Sequence, residues 1–207
     1  IGNIENTGVI SGYGSSSGRS GYGYGIYNFK SEMENITNTG LISGTGNSTS
    51  DAGTGSGINN DSDDKEMGDI TNTGIISGTG SSTDGDGIGY GINNSSSAAM
   101  GDITNTGLIS GSGSGFGSGK VGAGCGIYND SNGKEMGAIT NTGIINGYGT
   151  NSDSGDGTGC GIYNKSGTIG AIRNTGVISS ASTGFAFGIF NDTDATKIGN
   201  IENTGVI

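Results

Sequence analysis

Few side chains in this sequence could do chemistry, and those are scattered. The densest carboxylate group is Asp61, Asp63 and Asp64, with smaller ones at Asp84/Asp86, Asp153/Asp156 and Asp192/Asp194. Oxygen-rich loops of this kind suit a hard cation such as Ca2+. The Gly-Gly-x-Gly-x-Asp spacing of a calcium-binding repeat is absent, so solvated loop carboxylates are the first reading and a calcium site the second. No other cofactor is expected. The thiols are Cys125 and Cys160. There is no histidine, so neither a Ser-His-Asp nor a Cys-His relay can be assembled. The eight Lys and Arg residues are dispersed, which leaves the carboxylates without the basic partners that polysaccharide cleavage uses. A non-enzyme is expected.

Charge and hydropathy narrow the partners. The net charge is −11, and phosphate binding needs clustered cations, so no nucleic acid is expected. No run of 18 apolar residues exists, hence no transmembrane segment in this window. Of 207 residues 48 are glycine and only 29% hydrophobic, a composition that borders on disorder. The apolar residues recur at fixed offsets, however, and that argues for order.

The offsets come from a repeated phrase, Ile-x-Asn-Thr-Gly-x-Ile. Its asparagines are Asn6, Asn38, Asn72, Asn105, Asn141, Asn174 and Asn203, at gaps of 32, 34, 33, 36, 33 and 29 residues. Periods of this size mark stacked units. Counted from three residues before the isoleucine, the units are 1–32, 33–66, 67–99, 100–135, 136–168 and 169–197, with 198–207 a partial seventh. Ile4, Ile36, Ile70, Ile103, Ile139, Ile172 and Ile201 form one column. A second phrase, Gly-Ile-x-Asn, closes each full unit, from Ile26/Asn28 to Ile189/Asn191. The spacing follows no 3.6-residue period and β-branched residues dominate it, so helices are excluded. Short strands with glycine turns remain. The expected fold is all-β: a parallel β-solenoid with one coil per repeat, six coils and part of a seventh.

Stacking gives particular residues particular work. Ile and Asn two positions apart share a strand face, so each amide can donate to one neighbouring coil and accept from the other. The alternative makes Asn a turn residue chosen for its left-handed preference. The glycine after Asn-Thr is expected at a corner that demands positive φ. The Gly/Ser/Thr/Asp stretches, for example 46–55 and 112–123, are expected to be flexible loops on one side of the rod. Cys125 and Cys160 fall in one column, so they should be close, with bonding left open.

The stretch beginning Gly126-Ile-Tyr-Asn and running through Ile139-Thr-Asn-Thr-Gly-Ile-Ile resembles the repeats of bacterial surface β-helix proteins, especially autotransporter passenger domains and large adhesins. The resemblance spans the whole chain. It implies a right-handed, three-sided helix displayed outside the cell, at the bacterial surface. It also implies an adhesive or structural role, with host or cell-surface glycans or proteins as partners. Catalytic members of such folds make a polysaccharide-active β-helix the remote alternative. A nearer alternative rests on Thr37/Thr39, Thr71/Thr73, Thr104/Thr106 and Thr140/Thr142, whose two columns resemble the Thr-x-Thr face of ice-binding β-solenoids.

Residues 198–207 repeat residues 1–10 letter for letter. The expectation is a segment of a longer fibre, in which neighbouring solenoid copies continue the stack covalently or head to tail.

Overall fold

The computed structural model describes residues 1–153 and 156–207, which form strands, turns and bends without a helix. Each repeat makes one coil of three strands, and like strands of successive coils pair in parallel. Sheet A holds Ile4–Asn6, Ile36–Asn38, Ile70–Asn72, Ile103–Asn105, Ile139–Asn141, Ile172–Asn174 and Ile201–Asn203. Sheet B holds Val9–Ser16, Leu41–Ser48, Ile75–Ser82, Leu108–Gly115, Ile144–Asn151 and Val177–Ser182. Sheet C is built on Gly21–Phe29, Gly53–Asp61, Gly87–Ser95, Gly122–Met136, Thr158–Ile169 and Phe185–Asn191, with short strands at its margin. Three parallel sheets make this a three-sided β-solenoid of about six turns. Its register is like over like: Ile36 pairs with Ile70, Ile70 with Ile103 and Ile103 with Ile139.

The cross-section has a wide end and a narrow end. At the wide end each coil sends one large apolar residue from sheet A, one from sheet B and two from sheet C and its margin into a shared core. In the third coil these are Met67, Ile70, Ile76 and Ile92, none more than 2% exposed. Each such side chain contributes roughly 1.5–3 kcal/mol on burial. β-Branched isoleucine suits the pleated, in-register surface that these columns need.

At the narrow end sheets B and C face each other with no side chain between them. A methyl group on Gly78 of sheet B would run into the Tyr90 carbonyl of sheet C. One on Gly80 would meet the Ile88 carbonyl, and one on Gly89 the Ser112 carbonyl of the next coil. Glycine here provides close approach of two backbones. The alternate residues Ser77, Thr79 and Ser81 point outward and are at least partly exposed.

This arrangement corrects two expectations. The Gly/Ser/Thr/Asp stretches are not loops on one side of the rod. Residues 46–48 and 53–55, like 112–115 and 122–123, lie in strands, and the true connections shrink to short segments such as 49–52, 83–86 and 116–121. Their Gly-x-Gly alternation is the period of a strand with one bare face. The corner glycines also differ from expectation. Positive φ among the described glycines is confined to Gly117, Gly119, Gly133 and Gly167. Gly74 is needed because a methyl there would strike the Gly40 carbonyl one coil away, as one on Gly107 would strike that of Gly74.

Candidate functional site

The asparagines of sheet A form a continuous amide ladder inside the rod. Asn72 Nδ2 donates to Asn105 Oδ1 at 2.8 Å, to the Leu108 carbonyl at 3.1 Å and to the Gly74 carbonyl at 3.2 Å. The rungs joining Asn6, Asn38, Asn72, Asn105, Asn141, Asn174 and Asn203 are all 2.7 or 2.8 Å long. Every rung donates in the same direction, toward the later coil. None of these asparagines has positive φ, so the turn alternative does not describe them. A second ladder runs through Asn28, Asn60, Asn94, Asn129, Asn164 and Asn191 at 2.8–2.9 Å. Buried amides arranged this way satisfy one another and fix the register of the coils. Beside the first ladder Ile36, Ile70, Ile103, Ile139 and Ile172 are fully buried, Ile4 is partly buried, and Ile201 in the last strand is 49% exposed.

The remaining chemistry-bearing residues are not gathered into one site. Asp61, Asp63 and Asp64 turn to three separate partners: the Tyr27 hydroxyl donates to Asp61 at 2.9 Å, Lys30 pairs with Asp63 at 3.3 Å, and Lys134 pairs with Asp64 at 2.9 Å. Among the described residues no three His, Cys, Asp or Glu side chains come together as metal ligands, so the calcium reading of this triplet is not supported by its geometry. The cause is local. Asp63 and Asp64 both have positive φ, so chain neighbours diverge. Cys125 and Cys160 are register partners, buried and unbonded. The hydrogen bond with Cys160, together with burial, pushes the Cys125 thiol well above its ordinary range, which withholds the thiolate that nucleophilic or redox chemistry needs.

The threonines occupy the outer side of sheet A. Thr37, Thr71, Thr104 and Thr140 pair in register at the strand centres. Thr39, Thr73, Thr106 and Thr142 follow at the bend and are exposed. Glu5 precedes the first column, and Arg173 and Glu202 follow it, the latter two joined by a 3.2 Å ion pair.

One surface was not anticipated: the outer side of sheet C carries aromatic columns. Tyr27, Tyr128, Tyr163 and Phe190 share a column with Asn59 and Asn93, while Tyr24, Tyr90 and Phe187 share one with Ser56 and the two cysteines. Ring centroids lie 4.6 Å apart for Tyr90–Tyr128, 5.2 Å for Tyr128–Tyr163 and 4.8 Å for Tyr163–Phe190. The variable residue of Gly-Ile-x-Asn was the available signal, since period-2 alternation places it outside. Burial and the Asp61 hydrogen bond raise the Tyr27 hydroxyl to about 12. Burial likewise raises Tyr128 and Tyr163. The Tyr163 hydroxyl, donating at 2.6 Å, in turn holds the Asp192 carboxyl below its usual range. The rings pack within the first coil and again from the third coil to the last, with Ser56 and Asn59 of the second coil standing between the two groups.

Beside sheet A an open groove of about 730 Å³ runs along the rod, with Glu32, Glu34, Glu66, Asp69 and Glu135 in its lining. Two of the corner residues serve structure: Asp69 Oδ1 accepts from the Asp102 backbone at 2.9 Å, and Asp102 Oδ1 accepts from Ala138 at 2.7 Å.

Comparison of the chain with protein families, with curated proteins and with solved structures finds no match.

Proposed function

We propose that this chain is a non-catalytic shaft of a structural and adhesive fibre displayed outside the cell, at a bacterial surface. One observation carries the reading: the groups with chemical potential are spent on holding coils together. The ladder asparagines bond each other, the cysteines face each other in the wall, and Asp69 and Asp102 bond the backbone of the next coil. Cohesion of that kind makes a stiff rod with flat sides, which suits reach and display. Its contact surfaces are the short connections at the narrow edge and the outer sides of sheets B and C, with glycans or surface proteins as partners. Force spectroscopy tests the mechanical half. A shaft extends in a few high-force steps, and a chain that pays out smoothly at low force is not one. Binding of the intact chain to glycan and cell-surface arrays tests the adhesive half, and uniform failure to bind removes it.

The ice-binding reading keeps one specific support, the two in-register threonine columns over four coils. Neighbours along the axis are ~4.8 Å apart and i, i+2 neighbours ~6.7 Å, a flat hydroxyl and methyl lattice. Thermal hysteresis at millimolar protein, abolished by Thr71→Lys, supports this reading; freezing behaviour equal to that of an inert protein ends it.

A further inference from the structure

Sheet B presents a side of the rod without charge. In a chain of net charge −11, no Asp, Glu, Lys or Arg stands in any of its six strands. Sheet A carries Glu5, Arg173 and Glu202, and sheet C carries Asp61, Asp130 and Lys165. Charge returns in the connections between sheets B and C, at Arg19, Asp51, Asp86 and Lys120. The uncharged area therefore coincides with the sheet.

An aliphatic ridge runs along one margin of that side. Val9, Leu41, Ile75, Leu108, Ile144 and Val177 open the six strands and pair in register from coil to coil. They point outward: Val9, Ile75 and Ile144 are 68%, 42% and 44% exposed, whereas Ile42, Ile76 and Ile145 of the next column are fully buried. Strand preference does not account for the ridge. Threonine meets that preference and fills the outward column of sheet A at Thr37, Thr71 and Thr104, while leucine at 41 and 108 lacks the β-branch. Beyond the ridge the outward columns are rich in hydroxyls, from Ser43, Ser77 and Ser110 to Ser81 and Ser114. The glycines between them hold sheet C directly behind the face.

We propose that sheet B is the contact between two copies of this chain, packed side by side with their axes antiparallel. This contact rests on the shaft reading and names what covers one side of the rod. Charge selects the side. Two acidic rods repel through surfaces that carry carboxylates, and the core of an interface is depleted of charge; sheet B meets both demands. Symmetry selects the direction. A two-fold axis parallel to the strands reverses one rod and lays each outward column on its own counterpart, aliphatic on aliphatic and hydroxyl on hydroxyl. An axis along the rods would set the ridge against the far serine column instead. With the axis between the third and fourth coils, Tyr13 meets Ala181 and Tyr148 meets Thr45, so the two exposed rings of this face each lie against a small side chain. Area is sufficient. Strands ~4.8 Å apart, with eight residues at ~3.3 Å each, give six coils a face of about 750 Å². Two such faces bury about 1,500 Å², inside the range of roughly 1,200–2,000 Å² found for stable pairs.

The test is analytical ultracentrifugation of the full chain, with circular dichroism to verify that each variant retains its β-structure. The unmodified chain is expected to double in mass as concentration rises, and more readily at high salt, which screens the repulsion of acidic rods. Ile75→Lys with Ile144→Lys, and Ile75→Glu with Ile144→Glu, are each expected to remain monomeric. An equimolar mixture of the two is expected to recover the pair. Thr104→Lys, on the outer side of sheet A, is expected to leave the pair intact. Dimers of Ser114→Cys are expected to link through a short bismaleimide, because the antiparallel arrangement brings that column together. Monomers of the unmodified chain at every concentration overturn the proposal, and their flotation with phosphatidylcholine vesicles would give the ridge to a lipid surface. Pairs that persist in both ridge variants, a mixture that stays monomeric, or loss of the pair in Thr104→Lys overturns it too. Dimers that do not cross-link overturn the antiparallel direction. A monomeric rod that still extends only at high force leaves the shaft reading in place.

Discussion

In the third coil the wide end is filled by Met67, Ile70, Ile76 and Ile92, and the narrow end by Gly78, Gly80, Gly87 and Gly89. The first region coheres because side chains occupy its space. The second coheres because none do, so that two sheets meet backbone to backbone. Both exclude water from their interiors, yet they respond to substitution in opposite ways. Large-to-small changes open cavities in one, and small-to-large changes force apart the other. A chain that is 29% hydrophobic is thereby able to build a continuous dry interior.

The largest expected effect is at the narrow end. Gly78→Val must push the strand away from the Tyr90 and Gly55 carbonyls, and neither is the yielding end of a flexible side chain. Soluble expression of this variant should lack the far-ultraviolet dichroism of the parent. A folded Gly78→Val chain with unchanged melting would show that the sheets do not touch. At the wide end Asn105→Ala leaves Asn141 Oδ1 without its donor and removes one acceptor from Asn72 Nδ2, at about 1–3 kcal/mol for each group. Ile103→Ala should cost about 2–5 kcal/mol through transfer and cavity terms. Denaturant titration measures both, and a loss below ~1 kcal/mol in either would mean that the columns do not pack as described.

Alkali sharpens the comparison, because Tyr27, Tyr128 and Tyr163 sit on the outer wall of the wide end, beside the buried Ile26, Ile127 and Ile162. Folding raises Tyr27 to about 12 from an ordinary value near 10, with Tyr128 and Tyr163 moved in the same direction. A raised pKa means that the folded state favours the neutral phenol. That stabilisation is whole below about pH 10 and is lost as pH rises toward 12. Tyrosinate absorbance and loss of β-structure should therefore appear together in that window. Ionisation of all tyrosines near pH 10 in a chain that stays folded would contradict it.

The last coil is a natural variant of the narrow end, with Ser180 and Ser182 where earlier coils have Gly147 and Gly149. Its strands should exchange amide hydrogens faster than those of the third coil, while the sheet A strand Ile172–Asn174 stays protected. At the outer wall Thr71→Ala should shift stability by no more than about 0.5 kcal/mol.

Much of the wide end was legible in the sequence because its signal is positional. Ile36, Ile70 and Ile103 stand at a constant offset from Asn38, Asn72 and Asn105, and stacking follows from the constancy. The narrow end was obscured by composition. Ser77-Gly78-Thr79-Gly80-Ser81 resembles a loop when residues are counted and a strand when they are alternated, and glycine's association with turns favoured the wrong choice. Residue type alone points the corner glycines to a positive φ, whereas contact between coils explains Gly74 and Gly107. Asp61, Asp63 and Asp64 look like one group because they are close in the chain, but the turn between strands hands each to a separate partner, Tyr27, Lys30 and Lys134. The aromatic strip is harder to read because its columns are not of one residue type: the x of Gly-Ile-x-Asn is Tyr27, Asn59, Asn93, Tyr128, Tyr163 and Phe190 in turn.

The central claim, that like residues lie over one another in register, is tested most directly by scalar couplings across the asparagine hydrogen bonds in uniformly labelled protein. The account predicts correlations from Asn72 Nδ2 to the side-chain carbonyl carbon of Asn105, and from Asn105 Nδ2 to that of Asn141. Side-chain amides that exchange rapidly with water and show no such correlations would contradict it.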